Sequence, residues 1–221
     1  MLSLRLSMLV NLVAKEETVA DIGCDHGLVA ITLCNRYQTM KVYATDNRIQ
    51  PLSVAKKNAL QHLQNNNLHF ILGSGLTWIK PEYQINCAII AGMGTNKILK
   101  ILKDDHFLIK RYIIQINNDS SKIRQWIIDH NYYIEQEHLI KENEYFYEII
   151  VINKEQGKVP NKEDIMFGIN LKENYSHLFY EFWNKQYDYY QDLINKISPN
   201  DLKKHWINEK ILLIAQQIKI N

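Results

Sequence analysis

Nine residues near the start of the chain have the residue types of a ligand-binding turn. From Val19 to Gly27 they read Val-Ala-Asp-Ile-Gly-Cys-Asp-His-Gly, an apolar strand followed by a glycine-bearing turn and the start of a helix. Such a turn brings backbone close to a ligand at the positive end of a helix dipole. A dinucleotide-binding turn has its second glycine where this chain has Asp25, and a carboxylate there repels a diphosphate. Asp21 and Asp25 instead favour a cationic ligand such as S-adenosylmethionine, although a turn without any ligand is the alternative for this motif alone.

Three later strand ends have similar features. Asp46, a little more than 20 residues past the first glycine, is where an α/β sheet places an acid that binds a ribose diol. Asp46 and Asn47 are also residue types that cap the N-terminus of a helix, here the next one. Capping and ribose binding are compatible roles. Gly73-Ser74-Gly75-Leu76 follows the third predicted strand, and Ala91-Gly92-Met93-Gly94 follows the fourth. The glycines allow close approach of a ligand at the edge of the sheet where open α/β folds bind one, and a simple turn is the competing interpretation.

These turns predict one cofactor site. The expected cofactor-binding residues are Asp21, Gly23, Cys24, Gly27, Asp46, Asn47, Ser74, Gly75, Leu76, Gly92 and Met93.

The elements that position these turns alternate between strands and helices. Strands are predicted over 18–23, 41–46, 68–72, 86–91 and 112–116, and helices over 27–36, 51–64, 95–102 and 121–130. Alternation of this kind predicts a parallel sheet. Two further strand-like runs, 132–139 and 145–152, are joined by a short polar connection typical of a β-hairpin. Five parallel strands followed by an antiparallel hairpin is the order of a class I methyltransferase sheet, an α/β fold of the Rossmann-like type.

Both ends of the chain predict helices. The apolar spacing of residues 1–13, without a small-residue cleavage site, favours a helix that docks on the sheet over a signal peptide. A linker is expected over 153–167, with a domain boundary near 155, so the predicted domains are 1–155 and 156–221. Beyond it, one apolar stripe passes through Tyr175, Phe179, Phe182, Tyr189, Leu193 and Ile197, and a second through Ile207, Ile211, Ile214 and Ile218. Ser198-Pro199-Asn200-Asp201 resembles a capping box, which predicts an antiparallel coiled-coil hairpin of about 25 and 18 residues.

Composition excludes several other classes. The 221 residues are 46% hydrophobic and 23% charged, as in ordinary globular proteins, and their formal net charge is only +2. Three cysteines without Cys-x-x-Cys spacing argue against a disulfide framework and a structural zinc site, and they favour a reducing compartment. The longest apolar run is much shorter than the roughly 20 residues of a membrane span. We therefore expect a cytoplasmic, monomeric protein with no metal and no membrane association.

Several of these motifs resemble the bacterial TrmK-type tRNA (adenine-N1)-methyltransferases, which modify adenine 22. The similarity spans residues 1 to about 152. It includes Asp-Ile-Gly-Cys-Asp-His at 21–26, Pro-Leu-Ser-x-Ala at 51–55, Ile-Ala-Gly-Met-Gly at 90–94, Gln-x-Asn at 115–117, Ile-Arg-x-Trp at 123–126 and Tyr-Glu-Ile at 147–149. The resemblance implies S-adenosylmethionine as the cofactor, tRNA as the partner and a helical C-terminal domain that contacts it. The chain departs from this type at Ser74, where such relatives have Gly-Asp-Gly-Leu.

The implied reaction needs positioning more than a general base. Adenine N1 has an in-plane lone pair and becomes cationic on methylation, so nearby carboxylate and amide oxygens would stabilise the product. Asp25, His26 and Asn117 are the candidates for this role, with a turn-forming histidine as the alternative for His26. Met93 and Tyr145 are candidates to receive an extruded base, or are simply packed.

Candidate RNA-contacting cations are Lys97, Lys100, Lys103, Lys110, Arg111, Lys203, Lys204 and Lys210, and an ordinary solvated face is the alternative for each. Two other functions stay open at this point. The chain could be a non-catalytic RNA-binding module on a methyltransferase fold, or a methyltransferase for a substrate other than RNA.

Overall fold

The computed structural model describes residues 2–63, 66–198, 201 and 203–218. The chain divides into two compact units, Met1–Ile169 and Asn170–Asn221. The strands of the first unit are β1 Val19–Ile22, β2 Val42–Asp46, β3 Leu68–Leu72, β4 Cys87–Met93, β5 Arg111–Ile116, β6 Tyr133–Glu142 and β7 Tyr145–Asn153. Its helices are α1 Leu4–Leu12, α2 Leu28–Arg36, α3 Ile49–His62, α4 Thr95–Leu102, α5 Ser121–Asp129 and α6 Lys162–Phe167. The second unit has α7 Leu171–Asn174, α8 Ser176–Lys196 and α9 Lys203–Ile218.

The seven strands form one sheet in the order β3-β2-β1-β4-β5-β7-β6. Strands β1 to β5 pair in parallel, and β7 pairs antiparallel with both β5 and β6. Every residue of β1 and β2 is buried, as expected for central strands covered on both faces. The prediction of a class I methyltransferase sheet is confirmed. The strand order reverses between β1 and β4, which is where an open α/β sheet leaves a crevice for a ligand.

The N-terminal helix α1 docks on the sheet, as its apolar spacing predicted. Ser3 caps the helix by accepting a hydrogen bond from the N–H of Leu6 at 3.4 Å. Leu9 and Val10 are buried in the same core cluster as α2 and the central strands. Burial of this face holds α1 beside the crevice, so its polar side chains can reach the site.

The boundary between the two units lies at Ile169, downstream of the predicted position near 155. The intervening segment packs on the first unit. Lys158 forms a β-bridge with Ile134, and Asn161 and Asp164 form a capping box that starts α6. The N–H of Ile169 then donates to the carboxylate of Glu137 on β6. Loss of periodicity at residue 153 therefore marked the end of the sheet and not the end of the domain.

In the second unit α8 packs against α9, with 21 and 16 residues, respectively. Ile207, Ile211 and Ile214 are buried, as predicted for α9. The buried side chains of α8 are Phe179, Trp183 and Tyr190. The predicted stripe was wrong at Phe182 and Tyr189. The buried face that starts at Phe179 continues instead at Trp183 and Tyr190, because positions four and eleven residues further on return to the same side of a helix.

The predicted capping box between these helices includes Pro199 and Asn200, which lie outside the described residues. Of its described members, Asp201 accepts a hydrogen bond from the N–H of Lys203 at 2.8 Å through its side chain. The N–H of Asp201 donates to the carbonyl oxygen of Ser198 at 3.0 Å.

Candidate active site

A pocket of about 880 Å³ lies at the carboxyl ends of the parallel strands. The turns after β1, β2, β3 and β4 all contribute to its wall, as predicted from the glycine and aspartate positions. Of the predicted site residues it brings together Asp21, Gly23, Cys24, Asp25, His26, Asp46, Asn47, Ser74, Gly75, Gly92, Met93 and Asn117. This volume is in the range of about 300–1,000 Å³ that small-molecule sites occupy in proteins.

The first turn uses its backbone amides internally. The N–H groups of Gly23 and Cys24 both donate to the carbonyl oxygen of Thr45 at 2.8 Å. Gly23 has φ +74°, and a Cβ there would lie 2.4 Å from the methyl carbon of Met93. The positive φ favours glycine at this position, and any side chain here would also displace the methyl group of Met93. Because these two amides face β2, they do not form a nest for a diphosphate, which agrees with the preference for a cation inferred from Asp25.

Asp21 supplies a buried carboxyl group at the base of the pocket. Asp21 is 5% exposed, and this burial raises the pKa of its carboxyl to about 7. A hydrogen bond from the backbone of Ala30 acts in the opposite direction and lowers the pKa. Burial also raises the pKa of the Cys24 thiol, with the carboxyls of Asp21 and Asp46 adding to the effect. Cys24 is therefore a packed thiol and not a nucleophile.

Asp46 is held at the end of β2 with one oxygen in use. Its Oδ1 accepts the backbone N–H of Arg48 at 2.9 Å and lies 3.5 Å from the Nε of the same residue. Oδ2 has no hydrogen-bond partner within the described part of the chain. Asp46 thus organises the turn before α3 and still has an acceptor for a ligand, so the two roles considered for it are compatible in this geometry.

The turn after β3 is shaped by Trp78. A Cβ on Gly73 would lie 2.8 Å from Cδ1 of Trp78, and the indole N–H donates to the carbonyl oxygen of Gly75 at 2.8 Å. The side chain of Ser74 is exposed toward the pocket, while its carbonyl accepts from the hydroxyl of Thr77 at 2.9 Å. The departure at Ser74 therefore lies directly on the pocket wall.

On the opposite side, a chain of hydrogen bonds joins β4, β5 and α1. Gln115 Oε1 accepts the N–H of Gly92 at 2.9 Å and the Nη1 of Arg5 at 2.5 Å. Gln115 Nε2 donates to Oδ1 of Asn117 at 2.9 Å, and the N–H of Asn117 donates to the carbonyl of Met93 at 3.0 Å. Asn117 is thus oriented at the end of β5 by its own backbone and by a neighbouring amide.

Asp25 and His26 lie at the mouth of the pocket. Asp25 Oδ2 is 3.5 Å from His26 Nε2, and their side chains are 64% and 57% exposed. Asp25 has φ +48°, a left-handed conformation that aspartate tolerates better than most residues. The carbonyl of His26 accepts a hydrogen bond from Asn58 of α3 at 2.9 Å. The pair is therefore accessible to a large substrate.

Two predicted cofactor residues do not line the pocket. Gly27 has φ +73° at the start of α2, and a Cβ there would lie 2.9 Å from the Cβ of Ala55, so this glycine permits α2 and α3 to pack closely. Leu76 is 0% exposed and belongs to the hydrophobic core beneath the turn. In the structure both residues have a packing role, and their predicted contact with the cofactor stays a prediction.

Comparison with known proteins connects this site to a family. The family model for TrmK, described as tRNA (adenine(22)-N(1))-methyltransferase, matches residues 19–218. The chain belongs to the TrmK family. The resemblance inferred from its motifs is therefore confirmed, and with it the prediction of an S-adenosylmethionine-dependent tRNA methyltransferase.

Individual relatives agree over nearly the whole length. The structure of M. capricolum TrmK in complex with S-adenosylhomocysteine superimposes with a TM-score of 0.91 and 32% identity, covering 99% of this chain and 98% of that one. Streptococcus pneumoniae Sp1610 in complex with S-adenosyl-L-methionine gives a TM-score of 0.88 and 27% identity, with 99% and 100% coverage. The Bacillus subtilis tRNA (adenine(22)-N(1))-methyltransferase is 24% identical over 205 residues, which are 89% of this chain and 86% of that protein.

The cations predicted to contact RNA differ in their availability. Lys97 and Lys100 of α4 are exposed and line the pocket. Arg111 is instead 15% exposed and pairs with Glu17 at 2.5 Å and Glu135 at 2.9 Å. The prediction for Arg111 was wrong because these carboxylates come from distant parts of the sequence. Lys110 pairs with Glu155 at 2.7 Å.

Several pocket residues of this TrmK-family chain were not predicted as site residues. Arg5 belongs to the docking helix, and Phe146 and Tyr147 belong to the β6–β7 hairpin beside the predicted Tyr145. An arginine on the polar part of an amphipathic helix has no local signal for a ligand-binding role. For the hairpin, the Tyr-Phe-Tyr sequence at the start of β7 was the available signal.

Two kinds of site or segment are absent from the described residues. No group of three or more His, Cys, Asp or Glu side chains is arranged to bind a metal ion. No described helix has the length and apolar character needed to cross a bilayer.

Proposed function

We propose that this chain transfers a methyl group from S-adenosylmethionine to N1 of adenine 22 in tRNA, using the pocket described above. The observation that supports this most is the continuity of the pocket. Its inner wall is made of the strand-end turns, and its outer rim includes the exposed Tyr145 and two lysines. A small cofactor and a base from a much larger substrate can therefore meet in one cavity.

The cofactor-binding roles follow the order of the strands. Asp46 Oδ2 is the acceptor for the ribose hydroxyls, and the Ser74-Gly75 turn receives the adenine ring. These turns follow β2 and β3, which lie on one side of β1 in the sheet, so the nucleoside part is placed on that side. Asp21 and Gly23 lie beside the amino-acid part, where an ionised carboxyl attracts the ammonium and sulfonium groups. The cofactor supplies an electrophilic methyl group on sulfur.

The protein groups on the rim orient the base and stabilise its charge. No side chain has to remove a proton from N1, since its lone pair lies in the plane of the ring and is free in neutral adenine. The Asn117 carboxamide, fixed by Gln115, and the Asp25 carboxylate are acceptors for the positive charge that develops on the methylated ring. His26 lies beside Asp25 at the mouth, with 3.5 Å between Nε2 and Oδ2, and can contact the same base.

The substrate base must leave its stack to expose its Watson–Crick edge to the cofactor. Tyr145 is 68% exposed, and its ring provides a surface on which an extruded adenine can stack. Lys97 and Lys100 are placed to contact the phosphates that flank this base. The helical unit, residues 170–221, is the proposed second contact with tRNA.

The decisive experiment measures transfer of a labelled methyl group to unmodified tRNA. We expect incorporation into tRNA with adenine at position 22 and none when guanine replaces it. Nuclease digestion and mass spectrometry should identify 1-methyladenosine. Binding of S-adenosylhomocysteine without any transfer would favour a non-catalytic module, and transfer to an acceptor other than tRNA would favour a different substrate class.

We also propose that the enzyme acts as a monomer in the cytoplasm. The pocket is formed by residues of one chain. Cys24, Cys34 and Cys87 are all buried and form no disulfide bond, as suits a reducing compartment. Sedimentation equilibrium with and without tRNA tests the first statement, since a dimer in the active complex would refute it. Cell fractionation tests the second.

A further inference from the structure

Arg5 of α1 lines the pocket with an incomplete set of hydrogen bonds. Its Nη1 donates to Gln115 Oε1 at 2.5 Å, and its Cζ lies 5.1 Å from the ring centroid of Tyr147. The Nε atom is buried and has no hydrogen-bond partner among the described residues. Nε and Nη2 form one edge of the guanidinium, and this edge pairs side-on with a carboxylate. In Arg5 neither donor of this edge is used by a described residue.

Two other arginines of the same unit show this edge in use. In Arg111, Nε and Nη2 each donate to one carboxylate oxygen of Glu135, both at 2.9 Å. In Arg124, Nε donates to Glu137 at 2.7 Å and Nη2 to Glu148 at 2.5 Å. Arg5 differs because no carboxylate of the described residues pairs with its Nε–Nη2 edge. A buried guanidinium donor without a partner is unfavourable, so the site is suited to an anion that arrives with a ligand.

The position of Arg5 restricts which anion this is. A Cβ on Gly92 would lie 3.8 Å from Arg5 Nη1, so the guanidinium lies on the β4 side of the pocket. Asp46 and Ser74, the proposed ribose and adenine contacts, lie at the ends of β2 and β3 on the other side of β1. Arg5 is therefore near the proposed location of the amino-acid part of the cofactor and away from the nucleoside part.

We propose that Arg5 binds the α-carboxylate of the cofactor through its Nε–Nη2 edge. The proposal rests on the proposed function, since it takes S-adenosylmethionine as the ligand. The amino-acid part has an ammonium and a carboxylate on the same carbon, and Asp21 and Arg5 provide the two opposite charges near the Gly23 turn. A phosphate of the tRNA is the competing anion. The buried Nε favours a small ligand inside the pocket, whereas the exposed Lys97 and Lys100 are better placed for a phosphodiester.

The experiment compares two ligands that differ only in the carboxylate. S-adenosylhomocysteine and its decarboxylated analogue, S-adenosylthiopropylamine, are titrated into wild type, Arg5→Met and Arg5→Lys by calorimetry. We expect wild type to prefer S-adenosylhomocysteine by about 10- to 100-fold, the range for hydrogen bonds between charged groups. The preference should fall to within about 3-fold in Arg5→Met. Arg5→Lys, which keeps the charge but loses the paired donors, should lie between them.

Two controls separate this role from a structural one. Arg36→Met removes a guanidinium that also contacts α1, through a bond of 2.6 Å from Nη1 to Asn11, but Arg36 does not line the pocket. It should keep the full preference for the carboxylate. 5′-Methylthioadenosine lacks the amino-acid part and should bind wild type and Arg5→Met equally well, which reports an intact pocket.

The outcomes are distinguishable. An undiminished preference in Arg5→Met, or an equal loss of affinity for both ligands, overturns the proposal for Arg5. So does a variant that binds S-adenosylhomocysteine normally and loses affinity only for tRNA, because Arg5 would then be a phosphate contact. If wild type binds none of the three adenosine ligands, the proposed function itself fails.

Discussion

Replacing Asp21 by asparagine should stabilise the ligand-free protein at alkaline pH while weakening cofactor binding. The pKa of the buried carboxyl is about 7 against an ordinary value of 3.8. Because the folded state has the higher pKa, it holds the proton more tightly than the unfolded state does. The contribution of this group to stability is thus full below pH 3.8 and is lost as pH rises toward 7. One unit of pKa difference between the folded and unfolded states is equivalent to about 1.36 kcal/mol. The difference for Asp21 therefore lowers the free energy of unfolding by up to about 4 kcal/mol at pH 8.

The variant removes this cost because its amide stays neutral at every pH. We expect Asp21→Asn to be close to wild type in free energy of unfolding near pH 3, below both pKa values, and more stable at pH 8, by up to about 4 kcal/mol. Urea denaturation at several pH values measures both. The effect on binding should be opposite, with S-adenosylhomocysteine raising the melting temperature less in the variant than in wild type.

Asp25→Asn is the matched control for this prediction. It removes a carboxylate from the same turn, but that side chain is 64% exposed and should change stability by less than about 0.5 kcal/mol. A variant Asp21→Asn that is less stable than wild type at pH 8 would refute the reasoning, since the carboxylate would then be a net stabilising group. Unchanged cofactor affinity would refute the role of Asp21 in binding.

Four further predictions test other parts of the site. Ser74→Asp should tighten S-adenosylhomocysteine binding about 5-fold, because it replaces a neutral acceptor on the adenine side by a charged one. Calorimetry that shows weaker binding would contradict this assignment. Gly23→Ala should weaken cofactor binding, because φ +74° disfavours alanine and the methyl group of Met93 would have to move. Wild-type affinity would show that the turn adapts. The double variant Lys97→Gln, Lys100→Gln should reduce the slope of log affinity for tRNA against log salt concentration by about 1 per lysine. Lys110 is paired with Glu155, so Lys110→Gln should change this slope little. Arg124→Met should lower the free energy of unfolding in urea by about 3–5 kcal/mol, because Glu137 and Glu148 would remain buried without their cation. The loss of stability should be smaller when both glutamates are also replaced by glutamine.

Local patterns were sufficient to predict the architecture and much of the pocket. The alternation of apolar strands with helices determines a parallel sheet, and in a parallel sheet all carboxyl ends lie along one edge. Turns that are far apart in sequence, such as those at Gly23, Asp46 and Gly92, therefore had to meet. This is why the cofactor wall could be inferred from single turns, each recognisable by glycine and aspartate at a strand end.

Long-range pairing decided what the sequence left open. Arg5 and Arg111 look alike in the sequence, yet Arg111 pairs with Glu17 and Glu135, while Arg5 lines the pocket and pairs with no carboxylate in the described part of the chain. Gly27 has the signature of a ligand turn, but its missing side chain makes room for Ala55. Such differences depend on which residues the fold brings together across many positions, and local spacing contains no information on those distances.

The same reason explains the errors in the helical region. The face of α8 that is buried was predicted from spacing alone, and the correct phase, through Trp183 and Tyr190, is set by contact with α9. Long-range contacts likewise keep residues up to Ile169 in the first unit, and one of them is the hydrogen bond from the Ile169 N–H to Glu137. The sequence by itself determined the order of the elements, the type of the sheet and the ligand-binding edge, because these follow from neighbours along the chain. Tertiary structure alone decided which charges are paired and which remain available to a ligand, because a charge is satisfied by whatever folding places beside it.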